Sequence, residues 1–333
     1  MTELIDGIIE KASSLSDKQN NFRYHFEREG INYRCQILNS IDGKIIAVRR
    51  GLEEIWSLER CFSSLPEKVR SEIVRHVTDQ RLCQGGMIVV AGTHGNGKST
   101  TMGAILHARL LKHGGHAVTI EDPAELPLSG RIGKSGFCVQ TETSENHSFA
   151  DGVKDSHRAY PTSVNNIMMI GEVRDPETAE LALRSAIDGR LIITTVHADS
   201  CVSAIKRLLN YACDSELGKS DAEELLASSL RCVIHQEIVS PKLMHIQTLF
   251  DTNQVRGALI KGSANLAAIE DEVRRQFMCI SNNKPLTLRE LNSARSYRKQ
   301  FSESKSSPSN KAKIAQLPRK AAKKKKRLFG LLG

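Results

Sequence analysis

The sequence predicts a doubly wound α/β fold, and three observations indicate it. Four short apolar runs have the length and composition of buried strands, namely residues 87–91, 117–120, 167–170 and 191–196. Helical segments separate these runs, so strands and helices alternate as they do in proteins with a parallel central sheet. Glycine, carboxylate or imidazole residues follow each run, which puts polar side chains beyond the ends of the strands.

The residues before the first apolar run predict a small α+β domain over residues 1–65. Residues 1–16 have a helical pattern, and a second helix is expected over Leu52–Phe62. Between them, three segments alternate apolar with polar side chains around glycine turns, as strands do: residues 22–26, 33–38 and 44–49.

The larger domain is predicted over residues 66–301. It begins with a helix that has Pro66 in its first turn and runs to about Cys83. Residues 122–149 are rich in Gly, Ser and Thr and indicate a loop with a hairpin. Residues 203–300 are predicted to be mostly helical, with strands over residues 232–239 and 244–249.

A phosphate-binding loop joins the first apolar run to a helix. Its residues fit the pattern GxxxxGK[ST]: Gly92, Thr93, His94, Gly95, Asn96, Gly97, Lys98 and Ser99. In such a loop the backbone N–H groups and the helix N-terminus bind phosphates. Lys98 is expected to neutralise the terminal phosphates, Ser99 to ligate Mg²⁺, and Thr100 to assist. The alternative is a glycine-rich surface turn.

Three further polar residues follow strand-like runs: Glu121, Glu172 and His197. Ligands of open α/β sheets bind beyond the carboxyl ends of the strands, so all three are expected to point at the nucleotide. An ATP hydrolase needs a carboxylate that orients or deprotonates water and a group that holds Mg²⁺. Either glutamate fits either role, and His197 can hydrogen-bond the γ-phosphate. Taken singly, such residues also serve as helix caps or structural side chains.

The net charge of +9 lies entirely in the predicted disordered tail, residues 302–333, which hold ten Lys and Arg residues against one acidic residue. The rest of the chain is formally neutral, which argues against a folded body that binds nucleic acid through overall basic charge. Residues 323–333 join a basic cluster to a short apolar tip. This pattern fits an anionic membrane surface, nucleic acid, a partner protein, or a role in solubility alone.

The sequence also predicts a cytoplasmic protein. No apolar run approaches the ~18 residues of a membrane span, and no signal-peptide pattern is present. The eight cysteines have no CxxC spacing, which favours reduced thiols over a zinc site or a disulfide framework.

Four ordered boxes resemble those of the PilT-like superfamily of secretion and pilus motor ATPases. They are the phosphate loop Gly92–Ser99, the acidic box Thr119–Glu125, the atypical Walker B box Ile170–Ala179 and the His box Thr194–Ala198. The resemblance covers most of residues 20–262. It implies a RecA-like ATPase core, a PAS-like N-terminal domain and a homohexameric ring that binds ATP and Mg²⁺ at subunit interfaces.

The resemblance also implies roles for individual residues. Glu121 is then the water activator and Glu172 the ligand of the Mg²⁺ shell. In the ring, Arg34 and either Arg49 or Arg50 would reach across a subunit interface as arginine fingers. The alternative for these arginines is a solvated strand face.

The sequence departs from the family pattern in two places. Of the family's arginine-rich helix only Arg158 matches, because Lys154 replaces another arginine. The missing tetracysteine element favours the retraction or the type IVB secretion and conjugation branch.

The expected function is an ATP-driven motor for a type IV pilus, type IV secretion or conjugative transfer apparatus. It would work with inner-membrane platform or secretion-channel proteins, at the inner face of the cytoplasmic membrane. A phosphotransferase of a small acceptor, or a nucleic-acid motor that uses the basic tail, remains open.

Overall fold

The structure is a computed structural model, and it describes the following residues: 2–15, 23–28, 31–41, 43–144, 146–160, 165–240, 242–261, 265–282, 284, 286 and 288. The basic tail over residues 302–333, with its predicted disorder, lies outside this described part.

The described residues of the N-terminal part form one helix and a separate three-stranded sheet, which confirms the predicted small α+β unit. Helix α1 is followed by three antiparallel strands in the spatial order β1-β2-β3. The bounds are α1 Thr2–Leu15, β1 Arg23–Arg28, β2 Ile31–Ser40 and β3 Gly43–Arg50. Ile8 and Ala12 of the helix pack against Cys35 and Ile37 of the middle strand. The domain boundary at residue 65 stays a prediction.

The connection to the core is less helical than predicted. The expected helix over Leu52–Phe62 is wrong in its first half, because helix α2 spans only Leu58–Cys61. It begins there because the hydroxyl of Ser57 accepts a hydrogen bond from the backbone N–H of Arg60, the usual role of an N-cap serine.

The next helix also ends earlier than predicted. Helix α3 covers Glu67–Val77, with Pro66 at its N-cap, and does not continue to Cys83. The carboxylate of Asp79 accepts a hydrogen bond from the backbone N–H of Arg81 and so begins a separate 3₁₀ helix over Gln80–Gln84. An aspartate in this capping position interrupts a helix, since its side chain competes with the helical backbone bonds.

The core contains an eight-stranded sheet in the order β11-β10-β4-β9-β8-β5-β7-β6. The strands from β10 to β7 in this order run parallel, and the two edge strands are antiparallel. The strands are β4 Gly86–Ala91, β5 Gly115–Glu121, β6 Gly130–Ile132, β7 Gly136–Glu142, β8 Asn166–Ile170, β9 Leu191–Val196, β10 Leu230–Ser240 and β11 Leu243–Phe250.

Helices cover both faces of this sheet, which confirms the doubly wound α/β prediction. Met87 and Val89 of β4 pack into one hydrophobic cluster, with α5 to α10, and Ile88 and Val90 pack into a second, mainly with α3 and α4. The helices are α4 Lys98–His113, α5 Phe149–Ala159, α6 Pro176–Ile187, α7 Cys201–Cys213, α8 Gly218–Ser229, α9 Asn253–Ile260 and α10 Leu266–Ser281. None of the described helices combines the length and the apolar character needed to cross a membrane.

One segment has a larger role than its sequence indicates. Residues 122–149 do contain the predicted hairpin, formed by β6 and β7. The longer strand of that hairpin, β7, also pairs in parallel with β5 along its whole length, so it belongs to the central sheet. Its polar residues therefore lie beside the acidic box.

Candidate active site

The phosphate loop connects the end of β4 to the start of α4. Two of its glycines are required by the backbone. Gly92 has a φ of 154°, and a Cβ there would lie 2.5 Å from the backbone oxygen of Gln236. Gly97 has a left-handed conformation, with a φ of 71°, and is the N-cap of α4. Few residues other than glycine tolerate these positions, so the loop keeps the tight curvature that exposes its N–H groups.

Lys98 lies inside the loop, with 8% of its surface exposed. Its Nζ donates a hydrogen bond to the backbone oxygen of Thr93 at 2.7 Å, so the ammonium group lies across the opening of the loop. Burial lowers the pKa of Lys98, and the charge of Glu172 opposes that shift. The ammonium is therefore held where terminal phosphates bind in loops of this type.

A cavity of about 610 Å³ opens above the phosphate loop. The ends of β5, β8 and β9 meet there, together with the end of β3 from the N-terminal sheet. It is lined by Arg49, Arg50, Gly51, Leu52, the loop residues 94–100, Met102, the acidic segment 121–126, Phe149, Gly171, Glu172, Arg174, Thr195 and His197. The structure thus brings Glu121, Glu172 and His197 together with the phosphate loop in one cavity.

His197 lies between the phosphate loop and the Walker B box. Its Nε2 is 3.4 Å from a carboxylate oxygen of Glu172, and its Nδ1 is 3.4 Å from Nζ of Lys98. Its ring centre is 4.0 Å from that of His94. Burial, followed by the charges of Lys98 and His94, lowers the pKa of His197. The imidazole is therefore neutral at pH 7 and carries one donor and one acceptor nitrogen.

Glu121 is the buried carboxylate of the cavity, with 6% of its surface exposed. Its Oε1 accepts hydrogen bonds from the hydroxyl of Thr119 at 2.6 Å and from Nε2 of Gln140 at 3.0 Å. Burial raises the pKa of Glu121 in spite of these bonds. A raised pKa suits a group that must accept a proton during the reaction, because basicity increases with pKa.

Arg174 is a cavity residue that the sequence reasoning missed. It donates a hydrogen bond to Glu172 at 3.0 Å and lies 3.9 Å from a carboxylate oxygen of Asp122. Its guanidinium carbon is 5.3 Å from the ring centre of Phe149. The sequence places Arg174 two positions after Glu172, within the Walker B box.

Two of the proposed finger arginines line the cavity within one chain. Arg49 pairs with Glu125 of the acidic box at 3.1 Å, and Arg50 pairs with Glu53. Arg34 is paired with Arg49 in the backbone register of β2 and β3, but its side chain lies outside the described part.

Arg158 is not among the residues that line the cavity. Its side chain is 84% exposed and lies 3.3 Å from Asp155 on the same helix. The catalytic roles of all these arginines remain predictions.

The cavity offers the donor chemistry that Mg²⁺ requires. Ser99 contributes a hydroxyl at the start of α4, and Glu172 contributes a carboxylate, and both residues line the cavity. Both are oxygen donors, and Mg²⁺ commonly takes one or two protein oxygens while phosphates and water supply the rest. These residues therefore fit a magnesium–nucleotide complex.

Comparisons with known proteins agree with this geometry. The family described as "Type II/IV secretion system protein" matches residues 16–317. A putative type II secretion system protein E of Escherichia coli strain K12 is 38% identical over 154 residues, 46% of this chain and 28% of that protein. The type II secretion system protein HxcR of Pseudomonas aeruginosa is 32% identical over 200 residues, 57% of this chain and 39% of that protein. The chain therefore spans well under half the length of these curated relatives.

Two solved structures have the same fold. The pilus retraction motor PilT with bound ADP has a TM-score of 0.65 at 23% identity, covering 84% of this chain and 78% of PilT. The Legionella pneumophila ATPase DotB has a TM-score of 0.64 at 24% identity, covering 91% of this chain and 84% of DotB. At such identities the likeness establishes the fold alone, and it agrees with the RecA-like α/β core predicted from the sequence.

Proposed function

The chain belongs to the type II/IV secretion system protein family, and we propose that it is an ATP-hydrolysing motor for a type IV pilus, type IV secretion or conjugative transfer apparatus. One observation carries the proposal. The lysine of a complete phosphate loop lies 3.4 Å from His197, which lies 3.4 Å from Glu172, in a cavity that also contains the buried Glu121. Phosphate binding, metal binding and proton acceptance are thereby available in one place.

In this proposal the phosphate loop binds the nucleotide, and Lys98 turns from the oxygen of Thr93 to the terminal phosphates. Ser99 and Glu172 would hold Mg²⁺, which would withdraw charge from the phosphate oxygens. Glu121 accepts the proton of the attacking water, because burial raises its pKa and with it the basicity of its carboxylate. Neutral His197 joins the phosphate side of the cavity to Glu172 through its two ring nitrogens.

The proposal extends to a homohexameric ring. Arg34 and one of Arg49 and Arg50 would reach the nucleotide of a neighbouring subunit, where their charge offsets that developed in the transition state. The N-terminal sheet would then move against the core during turnover. Inner-membrane platform or secretion-channel proteins are the proposed partners, at the cytoplasmic face of the membrane. Residues 323–333 supply a basic segment for an anionic membrane surface or nucleic acid.

The test combines two measurements on one dilution series of the full chain. Phosphate release from Mg²⁺–ATP is measured per subunit, with Lys98→Ala as the blank, and sedimentation velocity gives the oligomer at each concentration. We expect turnover to rise with the hexamer fraction. Turnover by a species that sediments as a monomer at every concentration would overturn the ring. Turnover equal to that of the Lys98→Ala blank throughout would overturn the hydrolase.

A further inference from the structure

The phosphate loop is tied to the neighbouring strand β10 by two hydrogen bonds that converge on Asn96. Nε2 of Gln236 donates to the backbone oxygen of Asn96. The backbone N–H of Ile238 donates to Oδ1 of Asn96 at 2.8 Å. We call Asn96, Gln236 and the backbone of Ile238 the β10 latch. It joins two segments that are 140 residues apart in the chain.

The loop and the strand are also packed closely along the latch. The space where Gly92 would carry a Cβ is occupied by the backbone oxygen of Gln236, at 2.5 Å. A Cβ on Gly97 would lie 3.4 Å from Nε2 of Gln236 and from Cδ1 of Ile238. Both ends of the loop therefore abut β10, and a shift of Gln236 would move loop backbone.

The latch continues inside the loop toward the lysine. Nδ2 of Asn96 donates to the hydroxyl of Thr93 at 2.7 Å, and the backbone oxygen of Thr93 accepts the hydrogen bond from Lys98. Asn96 therefore holds the residue against which Lys98 is positioned. Its side chain uses both its donor and its acceptor for this purpose, as an amide can and a carboxylate cannot.

Folding stability alone does not account for Gln236. The residue is fully buried, yet its Oε1 has no hydrogen-bond partner among the described residues. An unpaired buried acceptor costs stability, and an apolar side chain of similar length would avoid that cost. What Gln236 does provide is the Nε2 donor that holds the loop.

We propose that Gln236 and Asn96 are positioning residues that hold the phosphate loop in its phosphate-binding shape before a nucleotide arrives. A loop that is already ordered loses less conformational entropy on binding, so the latch should strengthen nucleotide affinity. The inference rests on the proposed function, because it concerns the same nucleotide site. It gives Gln236, a residue of β10 outside the phosphate-loop pattern, a role in the nucleotide site.

The test substitutes Gln236→Met in the full chain and measures Mg²⁺–ADP binding by calorimetry. Methionine keeps the length and burial of the side chain but lacks the donor. We expect a Kd about tenfold higher than that of the unmodified chain, an effect of the size of one lost hydrogen bond. The unfolding temperature should be nearly unchanged, because the unpaired Oε1 is removed at the same time. In turnover assays KM should rise while kcat stays close to its original value. This is expected when a substitution weakens the binding of the substrate and of the transition state equally.

Gln276→Met is the matched control. Gln276 is equally buried, but it bonds the backbone of Phe250 at the edge strand β11, away from the phosphate loop. This variant should lower the unfolding temperature and leave the Kd for Mg²⁺–ADP unchanged. Asn96→Ala is the second test variant, and it should weaken binding by a similar factor through loss of the bonds to Thr93 and Ile238.

The outcomes separate this inference from the proposed function. If the unmodified chain binds Mg²⁺–ADP no better than Lys98→Ala, the nucleotide site itself is refuted. If the unmodified chain binds and both Gln236→Met and Asn96→Ala bind equally well, the latch is overturned while the proposed function stands. If Gln236→Met and Gln276→Met both lose stability and bind more weakly in proportion to that loss, a specific role for Gln236 is likewise overturned.

Discussion

Glu121→Gln is the substitution that most directly tests the assignment of the proton acceptor. Glutamine has the shape of glutamate, and its amide oxygen can keep the hydrogen bonds from Thr119 and Gln140. It has no lone pair basic enough to accept the proton of an attacking water. The substitution therefore removes the proposed chemistry while its amide oxygen keeps the hydrogen bonds from Thr119 and Gln140.

The expected loss follows from the role of a general base. Such a group contributes about 10²–10⁴-fold to the rate, or roughly 3–5 kcal/mol of transition-state stabilisation, and we expect kcat to fall within that range. Stability should respond differently. Burial raises the folded-state pKa of Glu121, so its ionised form costs stability at pH values above that pKa. The cost shrinks as pH falls below the folded-state pKa and is gone below the unfolded-state pKa. Glutamine removes the cost, so the free energy of unfolding at pH 7 should stay equal or increase.

The assay measures phosphate release at saturating Mg²⁺–ATP, Mg²⁺–ADP binding by calorimetry, and thermal unfolding at pH 7. Glu142→Gln is the matched control, because Glu142 is the register partner of Glu121 on β7 but is exposed. It should retain turnover. Turnover by Glu121→Gln equal to that of the unmodified chain, with nucleotide binding intact, would refute the reasoning. The other carboxylate, Glu172, would then be the base.

Three further predictions concern the phosphate and metal side of the cavity. Lys98→Ala should abolish nucleotide binding, because it removes the ammonium group across the loop opening. Calorimetry measures the binding, and ATP hydrolysis by this variant would contradict the assignment of the nucleotide site. Glu172→Gln should leave Mg²⁺–ADP binding largely intact but stop hydrolysis, which calorimetry and phosphate release measure separately. Arg174→Ala should lower kcat by about tenfold through loss of the guanidinium that orients Glu172, a charge-assisted bond. Its unfolding temperature should change little, since the pair is partly exposed. The kcat of Arg174→Lys should lie between those of the unmodified chain and Arg174→Ala, because lysine keeps the charge without the planar donor geometry.

Several features could be read from the sequence because their cause is local. The phosphate loop is contiguous, and its glycines, lysine and serine have meaning at fixed spacing. Glu121, Glu172 and His197 could be assigned to one edge because each follows a buried parallel strand, and such strands end at the same side of a sheet. The helix over Leu52–Phe62 was wrong because a single serine cap at Ser57 begins the helix six residues late.

The chemistry and its edge of the sheet can therefore be predicted from the chain alone: a phosphate loop, two glutamates and a histidine after successive strands. The residues that hold these groups are known only from the fold. Gln140 reaches Glu121 because β7 pairs with β5, and Gln236 reaches the loop because β10 lies beside β4. Strand order depends on the packing of the whole core, so contacts between segments as far as 140 residues apart leave no local pattern in the chain.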